Sequence, residues 1–206
     1  MPSLHQGAGR SRLHRDGDSG ALTLPIRTAR LTLQDFVPDD FDPIHACASD
    51  PEVTRFMFHG VRTPADTRDY LDRMLASQHD QPRLIWELAV VETSSGHLIG
   101  ACDLTCENPR EGDPGFIFSQ AVWGKGDATE AAQAMVRAGF DQRGLARIVA
   151  ACDTGKPASA RVLEKAGLTR VATLERHKYA LDKWWTSHRY EIQRHESAAF
   201  DPASGH

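Results

Sequence analysis

A glycine turn that leads directly into an alanine-rich helix is the feature that most constrains this chain. Residues 123–140 read WGKGDATEAAQAMVRAGF, and the preceding segment, GFIFSQAV, is strand-like. Within the predicted helix, apolar residues recur at the spacing of an α-helix: Ala128, Ala131, Ala132, Met135, Val136 and Phe140. The backbone N–H groups of a helix start lack partners within the helix, and the helix dipole adds partial positive charge there. Because glycine lets an anionic group approach the backbone, the segment predicts an anion site.

Spacing excludes two nucleotide-binding motifs at this turn. A P-loop has four residues between its glycines followed by Lys-Ser/Thr, and a dinucleotide fingerprint reads GxGxxG near the first strand. Here Gly126 is followed by Asp-Ala-Thr-Glu, which fits neither motif. The glycines alone are equally compatible with a plain loop and helix cap, in which Asp127 complements the helix dipole.

The length, net charge and composition of the chain limit the classes of protein to which it can belong. The chain has 206 residues, enough for one globular domain with a substantial core. Its net charge of −4 argues against a nucleic-acid-binding protein, which usually shows a basic excess. No apolar stretch is long enough to cross a bilayer, so no membrane partner is expected.

The two ends of the chain differ in composition from the middle. Residues 1–22 contain glycine and arginine without the apolar core of a secretory signal, so we expect a disordered leader there. We expect a folded domain at 23–196 and a disordered tail at 197–206. Four cysteines, none in CxxC spacing, are interpreted as reduced thiols of a cytoplasmic protein: Cys47, Cys102, Cys106 and Cys152.

Strand and helix patterns alternate along the domain. RLTLQDF, LIWELAVVE, HLIGACDLT, GFIFSQAV, ARIVAAC, LTRVATLERHKY and WWTSHRYEIQR are predicted strands, the second and third forming a hairpin. A helix is predicted after Thr63, a suitable N-cap, with Pro64 at the first helical position. Another is predicted from Pro157 to Gly167. Trp184 and Trp185 are adjacent on a strand and must face opposite sides of it.

Two blocks of this sequence resemble a known family. GFIFSQAVWGKGDATEA and ARIVAACDTGKPASARVLEKAGL are similar to the GNAT superfamily of acetyl-CoA-dependent N-acetyltransferases, and more narrowly to its RimJ/RimL type. The superfamily's pyrophosphate loop reads Q/R-x-x-G-x-G/A. Trp123 stands at the Q/R position, as is usual in the RimJ/RimL branch, and Gly126 and Ala128 match the last two positions. The resemblance spans roughly residues 27 to 195, and the 115–168 block is its specific part.

The resemblance implies a fold and a cofactor site. The fold would be α/β (α+β), a mixed, mostly antiparallel sheet with helices on both faces. The backbone amides from Lys125 to Thr129 would hold the pyrophosphate of acetyl-CoA, and the GFIFSQ strand would splay from its neighbour to pair with the pantetheine arm. The residues implied at the cofactor are Phe118, Ser119, Trp123, Gly124, Lys125, Gly126, Asp127, Ala128, Thr129 and Lys156.

The same resemblance implies acetyl transfer to a primary amine by direct attack in a ternary complex, without a metal. The acceptor amine must lose a proton before it attacks, and the leaving thiolate benefits from a proton donor. Ser159 matches the serine of the branch's N-x-x-S motif and is predicted to be that donor. Asp113 is predicted to be the base, with Glu107 and Glu87 as rivals on neighbouring strands.

Three positions depart from the family pattern. Lys156 replaces the asparagine of N-x-x-S, Leu163 occupies the position of a tyrosine donor in many relatives, and Asp127 replaces an apolar or aromatic residue. These departures motivate an alternative, a non-catalytic CoA-binding protein. The acceptor is left open between a small-molecule amine and a protein N-terminus, and the late strands leave a homodimer open.

Overall fold

A computed structural model describes residues 20–197, which form an eight-stranded sheet and six α-helices. The strands are β1 Ile26–Arg27, β2 Leu31–Gln34, β3 Ile85–Glu92, β4 Leu98–Asn108, β5 Glu111–Phe118, β6 Arg147–Asp153, β7 Thr169–Ala180 and β8 Lys183–Gln193. The helices are α1 Phe41–Ala48, α2 Pro51–Thr54, α3 Pro64–Ser77, α4 Asp127–Asp141, α5 Pro157–Lys165 and α6 Arg194–Ser197. This arrangement confirms the predicted fold class.

The sheet opens between its fifth and sixth strands. Its order is β1-β2-β3-β4-β5-β6-β8-β7, and neighbouring strands are antiparallel except for β5 and β6. That parallel pair is joined only at Glu111 with Arg147 and Gly112 with Ile148. Beyond those residues, β5 continues along β4 and β6 continues along β8. A gap therefore opens in the middle of the sheet, as the predicted splay requires.

Helices cover both faces of the sheet because successive strand residues point to opposite sides. On one face, Leu88, Val90 and Leu104 pack with α4 and α5 in the larger core. On the other, Ala89 and Ala101 pack with α1 and α3 through Ile44, Tyr70 and Leu71, among others. The small side chain of Ala101 on this second face leaves room for the cavity described below.

Local signals account for the helix starts. Thr63 accepts a hydrogen bond from the Asp66 amide while the Asp66 side chain accepts one from the Thr63 amide, which completes a capping box. Pro64 and Pro157 occupy the first positions of α3 and α5, as predicted. Trp185 is buried and Trp184 is exposed, so the prediction of opposite faces is confirmed.

Two predicted boundaries need correction. β5 begins at Glu111 rather than Gly115 and ends at Phe118, where a short 3-10 turn follows at 120–122. Leu22, assigned above to a disordered leader, is buried in the larger core, and the carbonyl of Gly20 accepts a hydrogen bond from Arg143 at 2.8 Å. The folded part thus starts before residue 23. The rest of the predicted leader and the tail beyond residue 197 lie outside the described residues.

Within residues 20–197, the helices are too short or too polar to cross a membrane.

Candidate acetyl-transfer site

Two cavities meet where β5 and β6 separate. The first, of ≈ 420 Å³, runs along the glycine turn and the start of α5 and is called the glycine-loop groove; its lining includes Trp123, Gly124, Gly126, Ala128 and Thr129. The second, of ≈ 320 Å³, lies on the α1/α3 face and is called the inner cavity; its lining includes Tyr70, Glu87, Asp103 and Cys152. Both are lined by Phe56, Met57, Phe116, Ile117, Lys156 and Ser159. These shared residues mark the junction of the two spaces.

The glycine turn presents unpaired amides to its groove. Gly126 is the N-cap of α4 and has φ 90°, and Gly124 has φ 77°, a backbone region that favours glycine. The first helical hydrogen bond runs from the Glu130 amide to the Gly126 carbonyl, at 3.0 Å. The amides of residues 127–129 therefore belong to the first turn, whose N–H groups have no partner within the helix. This geometry suits a pyrophosphate.

Asp127 is the first residue of α4 rather than its N-cap. Its residue surface is only 7% exposed, and its carboxylate pairs with the Arg30 guanidinium, Nη1 to Oδ1 at 2.9 Å. The suggestion that Asp127 caps the helix is wrong, although its carboxylate stands in the first turn of α4, where it complements the helix dipole. A partner in the segment before β2 also neutralises this carboxylate.

At the end of β5, the backbone groups on one side of the strand face the gap in the sheet. The Ser119 amide donates to the Ile99 carbonyl at 3.0 Å, so it is used within the sheet. Because the amides of an antiparallel strand alternate in direction, the Phe118 amide points the other way, into the gap. The Phe118 carbonyl accepts from the Trp123 indole at 2.9 Å, which anchors that exposed ring beside the turn.

Ser159 and Lys156 lie at the junction of the cavities, Ser159 in the first turn of α5 and Lys156 as its N-cap residue. Burial lowers the pKa of Lys156, while Cys152 and Asp153 act in the opposite direction. Leu163 is buried on the same helix and lines the inner cavity. The tyrosine position of many relatives thus carries an apolar wall in this chain, and Ser159 is the hydroxyl that α5 brings to the junction.

A pair of carboxyl groups lies inside the inner cavity. Glu87 on β3 is the register partner of Asp103 on β4, and Asp103 is the partner of Gly115 on β5. A Cβ at Gly115 would lie 2.2 Å from Asp103 Oδ1, so the missing side chain makes room for this carboxyl. The Tyr70 hydroxyl donates to Glu87.

The environment of this pair favours protonation. Burial, and then repulsion from Asp103, raise the pKa of Glu87 to about 8, although Arg62 acts in the opposite direction. Burial, and then repulsion from Asp113, raise the pKa of Asp103 to about 7. Two neighbouring carboxyl groups with raised pKa values can take up protons near neutral pH and also attract a cation.

The other candidate bases lie elsewhere. Asp113 lies within β5, has an exposed residue surface and is not among the residues lining either cavity, although burial, and then repulsion from Glu111, raise the pKa of its carboxyl to about 6. Glu107, at the far end of β4, is exposed as well. Sequence reasoning named Glu87 only as a rival and missed Asp103. The available signal was its position one residue from buried Cys102, which puts it on the opposite face of β4, over Gly115.

The four cysteine thiols have definite places in the fold. All four cysteines are free and buried, and Cys152 lines the inner cavity. Burial raises the pKa of its thiol, with Asp153 adding to the effect. Among residues 20–197, no three His, Cys, Asp or Glu side chains are grouped as a metal site would require.

Comparison with known proteins identifies the family to which the chain belongs. The model of the acetyltransferase (GNAT) domain matches residues 30–169, more than half of the chain. The chain belongs to the GNAT acetyltransferase family. It is 28% identical over 171 residues to the uncharacterized N-acetyltransferase YnaD of Bacillus subtilis, covering 83% of this chain and 98% of that protein.

Solved structures agree with the GNAT assignment. A GNAT-family acetyltransferase from Bacillus anthracis is 27% identical, with a TM-score of 0.75 over 82% of this chain and 98% of its own. The spermidine N-acetyltransferase of Vibrio cholerae, solved with CoA and spermine, shares the fold with a TM-score of 0.70 at 19% identity, over 83% of this chain and 99% of its own. This GNAT protein is therefore an acetyltransferase.

Proposed function

We propose that this GNAT enzyme transfers an acetyl group from acetyl-CoA to a small primary amine by direct attack in a ternary complex. The junction of the two cavities at Ser159 and Lys156 carries the proposal, because it lets two substrates approach from opposite sides of the sheet. The match of Trp123 and Ser159 to the RimJ/RimL branch supports placing the enzyme there.

The glycine-loop groove suits acetyl-CoA. The amides of residues 127–129 would hold the pyrophosphate, and the Phe118 amide would meet the pantetheine arm along the gap. Lys156, Arg161 and Lys165 line the same groove and supply positive charge for the phosphates. When bound, the cofactor supplies an activated thioester. The chain's part is to hold it with its reactive end near Ser159.

The inner cavity suits a cationic amine. At ≈ 320 Å³ it is at the small end of ligand pockets, which favours a small molecule over a protein N-terminus. The Glu87–Asp103 pair would attract an incoming ammonium and then accept the proton that the amine must lose. Glu87, rather than Asp113, is the base in this proposal because it lies inside the cavity.

Two further residues complete the proton transfers. The hydroxyl of Ser159 would give its proton to the departing thiolate at the junction. Cys152 is the cysteine that lines the inner cavity, but burial keeps its thiol protonated and therefore a weak nucleophile. Direct attack by the amine is thus favoured over an acyl-cysteine route.

Calorimetric titration with acetyl-CoA, followed by assays on a panel of primary amines, tests the proposal. The wild-type chain should bind acetyl-CoA, and Gly126→Trp should abolish binding because its side chain would stand on the turn. Gly96→Trp is the matched control, since Gly96 has a similar φ of 72° in the β3–β4 turn. Ser159→Ala should keep the affinity and lose turnover.

The possible failures separate the two candidate functions. A wild-type chain that binds acetyl-CoA and acetylates no amine in the panel would favour the non-catalytic CoA-binding alternative. Absence of binding would remove the cofactor assignment itself.

A further inference from the structure

We propose that Arg30 is a positioning residue for the cofactor: it holds the glycine turn in shape and cancels the charge of Asp127 beside the proposed pyrophosphate amides. The inference rests on the proposed function, because it concerns binding of acetyl-CoA to that turn. Arg30 lies outside the two blocks on which the family resemblance is based, next to the start of β2.

The Arg30 guanidinium joins three groups at the start of α4. Its Nη1 lies 2.9 Å from Asp127 Oδ1 and donates to the Lys125 carbonyl at 3.1 Å, and its Nε donates to Glu130 Oε2 at 2.7 Å. One side chain thus contacts the residue before Gly126, the residue after it and the end of the first helical turn. A planar guanidinium with several fixed donors is suited to such bridging.

The backbone around Arg30 reinforces the attachment. Glu130 Oε1 accepts hydrogen bonds from the Arg30 amide at 2.8 Å and from the Thr28 hydroxyl at 2.6 Å. Glu130 is therefore tied to the 28–30 segment by three donors, including the Arg30 side chain. The segment before β2 and the first turn of α4 form one connected unit, so movement of either one would disturb the amides of residues 127–129.

Charge gives Arg30 a role beyond attachment. Asp127 is almost fully buried and lines the glycine-loop groove, so its negative charge would oppose an anionic ligand there. The guanidinium of Arg30, which is not among the residues lining the groove, compensates that charge. Its Nη2 would lie 3.5 Å from a Cβ built on Gly126, so the positive group is in direct contact with the turn.

A double-mutant experiment separates the charge role from simple attachment. Acetyl-CoA is titrated by calorimetry into the wild-type chain, Arg30→Gln, Asp127→Asn and the Arg30→Gln/Asp127→Asn double variant, and each is also unfolded thermally. Arg27→Gln is the matched control, because Arg27 is exposed on the same segment and is not among the residues lining the groove.

The expected result is a weaker affinity that the second substitution restores. Arg30→Gln should raise the Kd for acetyl-CoA by about tenfold, equivalent to about 1.4 kcal/mol, because it leaves Asp127 uncompensated. The double variant should recover most of that loss, although its melting temperature stays below that of the wild type. Asp127→Asn alone should lower the Kd, because it removes the negative charge and leaves the guanidinium unopposed beside the turn. Arg27→Gln should bind as the wild type does.

Several results would overturn the inference. A double variant that binds no better than Arg30→Gln would reduce Arg30 to a structural contact, and unchanged affinity in Arg30→Gln would remove any role. If Arg30→Gln does not fold, Asp127→Asn still decides: an unchanged Kd in this single variant would mean that the charges of this ion pair do not act on the ligand. A wild-type chain that does not bind acetyl-CoA would instead contradict the proposed function.

Discussion

Glu87 is the residue whose chemistry is most directly testable. Its carboxyl is enclosed in the inner cavity, and burial and Asp103 raise its pKa to about 8. A base must be ionised to accept a proton, so kcat/KM should rise as the pH passes through this value. Glu87→Gln should lower kcat by about 100-fold and remove this rise, while the affinity for acetyl-CoA stays unchanged. Steady-state rates between pH 6 and pH 9 measure both effects.

Parallel variants decide between the carboxylates. Glu107→Gln and Asp113→Asn remove exposed groups outside the cavity lining and should have much smaller effects. If Asp113→Asn lost activity and Glu87→Gln retained it, the base predicted from the sequence would be the correct one.

At the residue scale, the sequence could reveal those positions whose role follows from a local motif. The glycine turn and the start of α5 are each a continuous segment of chain with its own local geometry. The sequence could therefore place Gly126 beside the junction of the two cavities and Ser159 at that junction. Asp103 could not be found in this way, since its place depends on the register of three strands. The pairing of Asp127 with Arg30 also depends on tertiary structure, because a different segment of the chain supplies the guanidinium.

The pairing of β4 with β5 is the element on which both cavities depend. Gly100 is the register partner of Phe118, and a Cβ at Gly100 would lie 2.3 Å from the Ile117 carbonyl oxygen. Gly100→Ala should therefore push β5 away and destabilise the fold by about 1–3 kcal/mol. Because Ile117 lines both cavities, the variant should also bind acetyl-CoA more weakly. Chemical unfolding and calorimetric titration measure the two losses.

Gly96→Ala provides a control for the backbone effect of replacing a glycine. Its φ of 72° makes alanine unfavourable, but no atom lies within 4 Å of the added Cβ, and the β3–β4 turn is not part of either cavity lining. It should lose stability and keep its affinity. Equal affinities in Gly96→Ala and Gly100→Ala would show that β5 tolerates the shift.

At the element scale, the periodic segments were predictable and the limits of β5 were not. The helices α3, α4 and α5 carry apolar residues at helical spacing and start signals that act locally. The start of β5 at Glu111 instead reflects its partners: Asn108 on β4 and Arg147 on β6 both pair with that residue. Such boundaries follow from neighbouring strands that a single segment does not encode.

The whole molecule combines two cores around an opening in one sheet. The larger core packs α4 and α5 against one face and the smaller packs α1 and α3 against the other, so β5 and β6 can separate between them. The opening connects the groove on the glycine turn with a carboxyl-lined cavity. The buried charge that this cavity can hold must have a cost for the stability of the entire domain.

That cost predicts how the free energy of unfolding depends on pH. The pKa of Glu87 is raised from an ordinary value of 4.5 to about 8 in the folded chain, and that of Asp103 from 3.8 to about 7. At pH values between the ordinary pKa and the raised pKa of each group, the folded chain binds more protons than the unfolded chain. The contribution of the Glu87–Asp103 pair to the free energy of unfolding therefore falls as the pH rises through this range. Glu87→Gln removes one of the two titrating groups. The melting temperature of Glu87→Gln, measured relative to that of the wild type, should therefore increase from pH 5 to pH 8. For Glu107→Gln, which changes an exposed carboxyl, the difference in melting temperature from the wild type should stay constant over this range. A constant difference for Glu87→Gln as well would mean that the pKa of the Glu87 carboxyl is not perturbed.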